Sequence, residues 1–184
     1  GDGLQDLYFT GSQVENKLYL NRGNFTFEDV TAKANAQKRP GQWSSGINII
    51  DINRDGKADI YVCNTFRKDP EKRKNLLFVN QGNDKEGIPH FEEMAQVYGV
   101  ADTTHSSHAQ FFDYDNDGDP DLFIGVNVMD TKSPNRYIPK VTDGSAPNCD
   151  RLYRNDWDAQ AGHPVFTDVS LAAGIKLSGF SHST

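Results

Sequence analysis

Long hydrophobic runs are missing from this chain of 184 residues. None approaches the roughly 20 apolar residues that a membrane-crossing helix needs. There is no secretory leader or lipidation box. The chain opens part-way into a repeated loop, so we expect a piece of a longer polypeptide, and the missing leader carries little weight. Cysteine is scarce: Cys63 and Cys149 are the only two. Their spacing is not that of metal ligands, and two reduced thiols are favoured over a disulfide. Positive charge is also short. Nineteen Lys and Arg face 26 Asp and Glu, a formal net charge of −7, which argues against a nucleic-acid partner. Glycine is plentiful instead. Sixteen glycines and eight prolines, spread widely, suit a turn-rich all-β fold, and 36% hydrophobic residues can furnish one substantial core.

The acidic residues are concentrated in a repeated loop. Asp-Ile-Asn-Arg-Asp-Gly-Lys-Ala-Asp-Ile at 51–60 recurs as Asp-Tyr-Asp-Asn-Asp-Gly-Asp-Pro-Asp-Leu at 113–122, and half of it opens the chain as Asp-Gly-Leu-Gln-Asp-Leu at 2–7. Oxygen-bearing side chains stand at positions 1, 3, 5 and 9, with glycine at position 6. A short loop wraps a hard cation in this way. Calcium takes six to eight oxygens at about 2.3–2.6 Å in irregular geometry, and the glycine accepts a positive φ that a side chain would penalise. The expected ligands are therefore Asp51, Asn53, Asp55, Asp59 and the Lys57 carbonyl in one loop. Asp113, Asp115, Asp117, Asp121 and the Asp119 carbonyl serve the next. Asp2, Asp6 and the Leu4 carbonyl are the remnant of a third. Clustered carboxylates repel one another unless a cation neutralises them; three Ca²⁺ ions would add about +6, close to the chain's deficit. Affinities on the order of 10⁻⁴–10⁻³ M, those of extracellular modules, are expected.

An EF-hand would need a bidentate Glu at position 12 and a helix after the loop. Val62 and Ile124 stand there instead, inside short β-branched and aromatic runs that read as strands. Aligned on the loops, four strands recur about every 50–75 residues, as in propeller blades. One precedes each complete loop (47–50, 109–112) and one leaves each loop (6–10, 59–63, 121–126). The third and fourth lie at 18–21, 76–80 and 152–155, then at 27–30, 91–94 and 166–169. The strands leaving the loops are apolar at consecutive positions, which predicts burial on both faces, as in radially packed blades. The Gly-Gly-x-Gly-x-Asp repeat of calcium β-rolls is absent. The fold expected is an all-β β-propeller segment of about three four-stranded blades, incomplete at both ends. The units are 1–41, 42–103 and 104–178, with 179–184 starting another.

Three motifs recur in order: Asp-x-Asp/Asn-x-Asp-Gly-x-x-Asp-Leu/Ile, then Asn/Asp-x-Leu-Tyr/Phe-x-Asn, then Phe-x-Asp-Val-x-x-x-Ala-Gly-Ile. Together they resemble the FG-GAP/VCBS repeats of integrin-α-like β-propellers. Residues 150–155 and 166–175 resemble in particular the cartilage-acidic-protein-like group, often joined to an ASPIC/UnbV segment. The resemblance implies calcium-bearing blades of a seven- or eight-bladed propeller, secreted or surface-exposed, without a conserved catalytic set.

Function is then expected on the rim opposite the acidic loops. There the connections between second and third strands vary: short near 11–16, basic at 67–74, and long at 127–149, with Tyr137 and Pro139. Variable loops on a rigid scaffold are where binding resides. The leading reading is a non-catalytic, calcium-stabilised scaffold for a protein or glycan ligand, at an extracellular, periplasmic or outer-membrane surface. A polysaccharide lyase or hydrolase, or a structural subunit of an outer-membrane assembly, is the contrasting reading. His105, His108 and His182 form no recognisable constellation. His105 and His108, three apart, would face opposite sides of a strand, and a structural role is favoured for His108 and His182.

Overall fold

The computed structural model describes residues 3–128 and 139–179. Asp2, Tyr137, His182 and the start of a further unit at 180–184 lie outside them. Among the described residues, eleven strands form three antiparallel sheets. The first sheet holds β1 (Leu7–Phe9), β2 (Lys17–Asn21) and β3 (Phe27–Asp29). The second runs β4 (Ser44–Ile50), β5 (Asp59–Asn64), β6 (Leu76–Asn83) and β7 (Pro89–Glu93) in spatial order. The third repeats that meander with β8 (Ser106–Phe112), β9 (Asp121–Val126), β10 (Arg151–Asp158) and β11 (His163–Asp168). A single helical turn, α1 (Ala95–Tyr98), closes the second unit and is capped by Gly99 in the left-handed conformation. All-β sheets in series, each a meander, are the architecture of a partial β-propeller.

The apolar runs explain the stacking. In β5 and β6, side chains alternate between two cores. Ile60, Val62, Leu76 and Phe78 join Leu18, Leu20 and Val30 of the first unit. Tyr61, Cys63, Leu77 and Val79 join Leu122, Ile124 and Val126 of the third. A strand with period-two side chains can serve both neighbours only if both faces are apolar, so β5 is buried throughout. Against expectation, β1 is covered on one face only. Tyr8 packs towards the second sheet, while Leu7 and Phe9 stay 40% and 54% exposed. They line a depression of about 470 Å³ with Lys17, Tyr19 and Phe27. The reason lies in the stacking order: in the later sheets, the equivalent face is covered by the sheet before it.

The innermost strands touch. Ser45 Oγ donates to the Ser106 carbonyl at 2.8 Å and Asn48 Nδ2 to the Ala109 carbonyl at 3.2 Å. The approach is so close that a Cβ on Gly46 would lie 2.8 Å from the His108 Cα. This accounts for glycine in the second unit where the third has His108.

A second recurrent device is polar. The Tyr8 hydroxyl donates to the Ala36 carbonyl at 3.0 Å and accepts from Asn16 Nδ2, while Asn16 Oδ1 accepts from the Gly11 amide. One unit later, Tyr61 donates to the Val100 carbonyl at 3.0 Å and accepts from Asn75 Nδ2; Asn75 Oδ1 accepts from the Asn64 amide. In the third unit both partners change together. Phe123 has no hydroxyl to serve, and Asp150, whose side chain has no amide N–H to place, keeps the strand-end contact, to the Val126 amide at 2.8 Å.

Candidate metal loops and the face opposite them

Each complete acidic loop leads directly into the second strand of its meander. Both complete loops turn left-handed at positions 4 and 6. Arg54 and Asn116 have φ of 59° and 63°, and Gly56 and Gly118 have φ of 83° and 92°. This curls the odd-numbered side chains inward over the loop's own amides. Asp51 accepts from the Asp55 and Gly56 amides at 3.0 and 2.8 Å. Asp113 accepts from Gly118 at 3.0 Å, and Asp117 from Asp119 at 2.8 Å.

In the loop at 113–121, Asp113, Asp115 and Asp117 each offer a carboxylate oxygen, and those oxygens all lie within 4.8 Å of one another. Two ligands at about 2.3–2.6 Å on opposite sides of a calcium ion are about 4.6–5.2 Å apart. Three hard oxygens at this spacing can therefore touch one such ion. The donor set fits a hard cation and not a thiophilic one.

Position 9 also ties strands together. Asp121 is fully buried. Its two oxygens accept from the Asn155 amide of β10 at 2.8 Å and the Tyr114 amide at 2.9 Å. Asp59 repeats this with Asn80 at 2.8 Å and Ile52 at 3.0 Å, and Asp6 makes the strand contact to Asn21 at 2.9 Å. The aspartate staples loop, second strand and third strand together. Burial raises the pKa of Asp121. The amide hydrogen bonds oppose that shift, and the negative charges of Asp115 and Asp117 add to it. Asp59 is raised for the same reasons, with Asp55 and Asp51 as the repelling neighbours.

The loop at 51–59 differs from its partner. Among the described residues, Asp51, Asp55 and Asp59 do not form a three-carboxylate cluster like the later one. Asn53 fills position 3 and donates to Asp55 at 3.3 Å, and Lys57 Nζ sits 2.8 Å from Asp55. The Lys57 ammonium thus offsets the charge of Asp55. At position 7 of the other loop, Asp119 pairs with Arg54, which also donates to the Gly118 carbonyl. The two hairpin tips are tied together by that guanidinium, a contact that sequence spacing does not reveal. Leu4 is 44% exposed in the partial loop.

Residues 1–62 match the model of the FG-GAP-like repeat family. The first sheet and the loop at 51–59 are FG-GAP-like sequence. Over 59 residues the chain is also similar to cartilage acidic protein 1 of Mus musculus and of Homo sapiens, at 39% identity in each case. Those alignments span 32% of this chain and 9% of each relative.

The histidines have other surroundings. The His108 ring lies over Gly125, its cross-strand partner, and its Nδ1 is 3.0 Å from Ser107 Oγ. His105 precedes β8 rather than lying in it, and burial together with the Arg73 charge lowers its pKa. His163, which sequence reasoning passed over, stacks on Tyr98 at 4.6 Å. Cys63 and Cys149 are free and buried. Among the described residues, no helix is long and apolar enough to cross a membrane.

Proposed function

We propose that this chain is part of an extracellular, calcium-stabilised β-propeller scaffold that binds a protein or glycan ligand without catalysing a reaction. The observation that carries the metal part is the convergence of Asp113, Asp115 and Asp117 at one hairpin tip. Bound calcium would supply the positive charge that this tip lacks, closing the hairpin over β8 and β9. The loop at 51–59 is the weaker of the two complete sites, because Lys57 already neutralises Asp55. The FG-GAP-like match and the likeness to proteins named for cartilage support an extracellular setting. The whole relatives are far longer, so ligand and partners belong to this proposal alone. Calorimetric titration with Ca²⁺ tests it. Saturable binding with Kd on the order of 10⁻⁴–10⁻³ M is expected, strongest at 113–121 and weakened there by Asp117→Asn. No heat and no thermal shift up to about 10 mM, a concentration well above that Kd range, would reject it.

A further inference from the structure

On the side of the sheets away from the acidic tips, Phe66 follows β5 with φ of 64° and 42% exposure. A bulky aromatic residue is rare in that left-handed region and strained there. Its ring leans on Trp43, with centroids 4.8 Å apart at 41°. The Arg67 guanidinium lies 5.4 Å from the Trp43 ring centroid, and Arg67 Nε is held by the Gly41 carbonyl at 2.8 Å. The backbone fixes this shelf further, because the Thr65 amide donates to the Trp43 carbonyl at 2.9 Å.

Five cations and two carboxylates follow between residues 67 and 74, in a chain that is otherwise acidic. Arg73 is occupied with the carbonyls of Arg67, Lys68 and Thr103, and Lys74 with Glu71. Lys68 and Lys72 are exposed and make no ion pair among the described residues. The Lys72 stem runs beside Gly41, with Cδ 3.5 Å from where a Cβ on that glycine would stand. Aromatic surface and uncommitted positive charge are thus adjacent.

We propose that Trp43, Phe66, Arg67, Lys68 and Lys72 form a binding site for an acidic polysaccharide, an inference that rests on reading this rim as the ligand face. A pyranose ring has an apolar C–H face that stacks on aromatic rings. Its carboxylate or sulfate projects from the ring edge, where guanidinium and ammonium groups would meet it. An acidic peptide is disfavoured because β5 and β6 both lie inside their sheet with each edge paired, leaving no strand edge to extend.

The test uses the full 184-residue chain with labelled oligogalacturonate as the carboxylate probe and dextran sulfate as the sulfate probe. Neutral dextran and poly-glutamate are the controls. At least one anionic polysaccharide should bind more than tenfold tighter than either control, and salt should weaken it. Phe66→Gly should lose at least tenfold in affinity while melting no lower than the parent, since glycine suits that backbone. Lys68→Glu with Lys72→Glu should lose at least as much. Unaltered affinity in Phe66→Gly, equal binding of poly-glutamate, or no binding of either polysaccharide overturns the site. Cleavage of the polysaccharide, read as new reducing ends alongside Phe66-dependent binding, would support the site and sink the non-catalytic reading. A retained calcium-induced thermal shift without polysaccharide binding would sink only the site.

Discussion

Asp115→Ala separates metal binding from folding better than any other change at the acidic tips. Asp113 and Asp117 each accept a backbone amide of their own loop, so removing either also loosens the hairpin. Among the described residues the Asp115 side chain accepts no such bond, although it belongs to the three-carboxylate cluster. Its contribution to stability should therefore pass almost wholly through the ion. A ligand that binds only the folded state stabilises it by RT ln(1 + [L]/Kd). With Kd on the order of 10⁻⁴–10⁻³ M and 10 mM calcium, that is about 1.4–2.7 kcal/mol. A domain of this size shifts roughly 2–4 °C per kcal/mol, so calcium should raise Tm by roughly 3–11 °C. Differential scanning fluorimetry in calcium and in chelator reads both limits. Asp115→Ala should lose most of the shift in calcium and match the parent in chelator, or melt slightly higher because one mutually repelling carboxylate is gone. Equal destabilisation in both conditions would show that Asp115 holds the hairpin directly. A full calcium shift in the variant would show that the ion binds elsewhere.

The remaining tests probe the scaffold. Tyr61→Phe leaves a buried Asn75 N–H unpaired and removes one of the two hydrogen bonds to the Val100 carbonyl, which keeps the Asp102 amide; it should cost about 1–3 kcal/mol in urea unfolding, and no measurable loss would refute the clamp. Gly125→Ala places a Cβ 2.1 Å from His108 Cε1. It should destabilise by about 1–3 kcal/mol, and His108→Ala should recover much of that in a double-mutant cycle. Leu7 and Ile60 hold the same place in successive units but are 40% and 4% exposed. Ile60→Ala should cost about 2–4 kcal/mol and Leu7→Ala less than about 1; equal, concentration-dependent losses would mean that a second copy covers Leu7. Hydrogen bonds from Lys17 and Thr31 lower the Asp29 pKa to about 2 against an opposing burial effect. Its stabilisation is thus present above the unfolded value near 3.8 and lost as pH falls towards 2. The Tm gap between parent and Asp29→Asn should close across that window, and a constant gap would refute the assignment.

The fold was legible because it is written three times. Each unit supplies the same signals, and where one is weak another is strong. Leu-Tyr-Phe in β1 alone could belong to many structures, but its alignment with Asp-Ile-Tyr-Val-Cys-Asn and Asp-Leu-Phe-Ile-Gly-Val fixes it as the strand leaving an acidic loop. Two-faced burial could also be inferred for β5 and β9, whose consecutive apolar residues leave no wet side. For β1 the same inference failed on Leu7 and Phe9, since burial there depends on what stands before the sheet and not on the strand's own residues. Helix α1 escaped notice because four residues cannot show a 3.6-residue period.

The candidate site was legible only where its chemistry is local. Carboxylates two residues apart in a tight loop must converge, so Asp113, Asp115 and Asp117 followed from spacing. The strand-tying contact of position 9 did not, because Asp121 meets the amide of Asn155, 34 residues away across a sheet. Nor did the inequality of the two loops. Lys57 and Asp119 both stand at position 7, and spacing treats them alike. One folds back on its own loop and the other reaches a neighbour's arginine. Residue-level differences of the same kind carry the site proposed on the opposite rim. Phe66 is unremarkable in a list of aromatics, and only its left-handed backbone shows that the chain holds it against Trp43 under strain. Stability alone would favour glycine at that position, so the aromatic ring there points to a use outside folding.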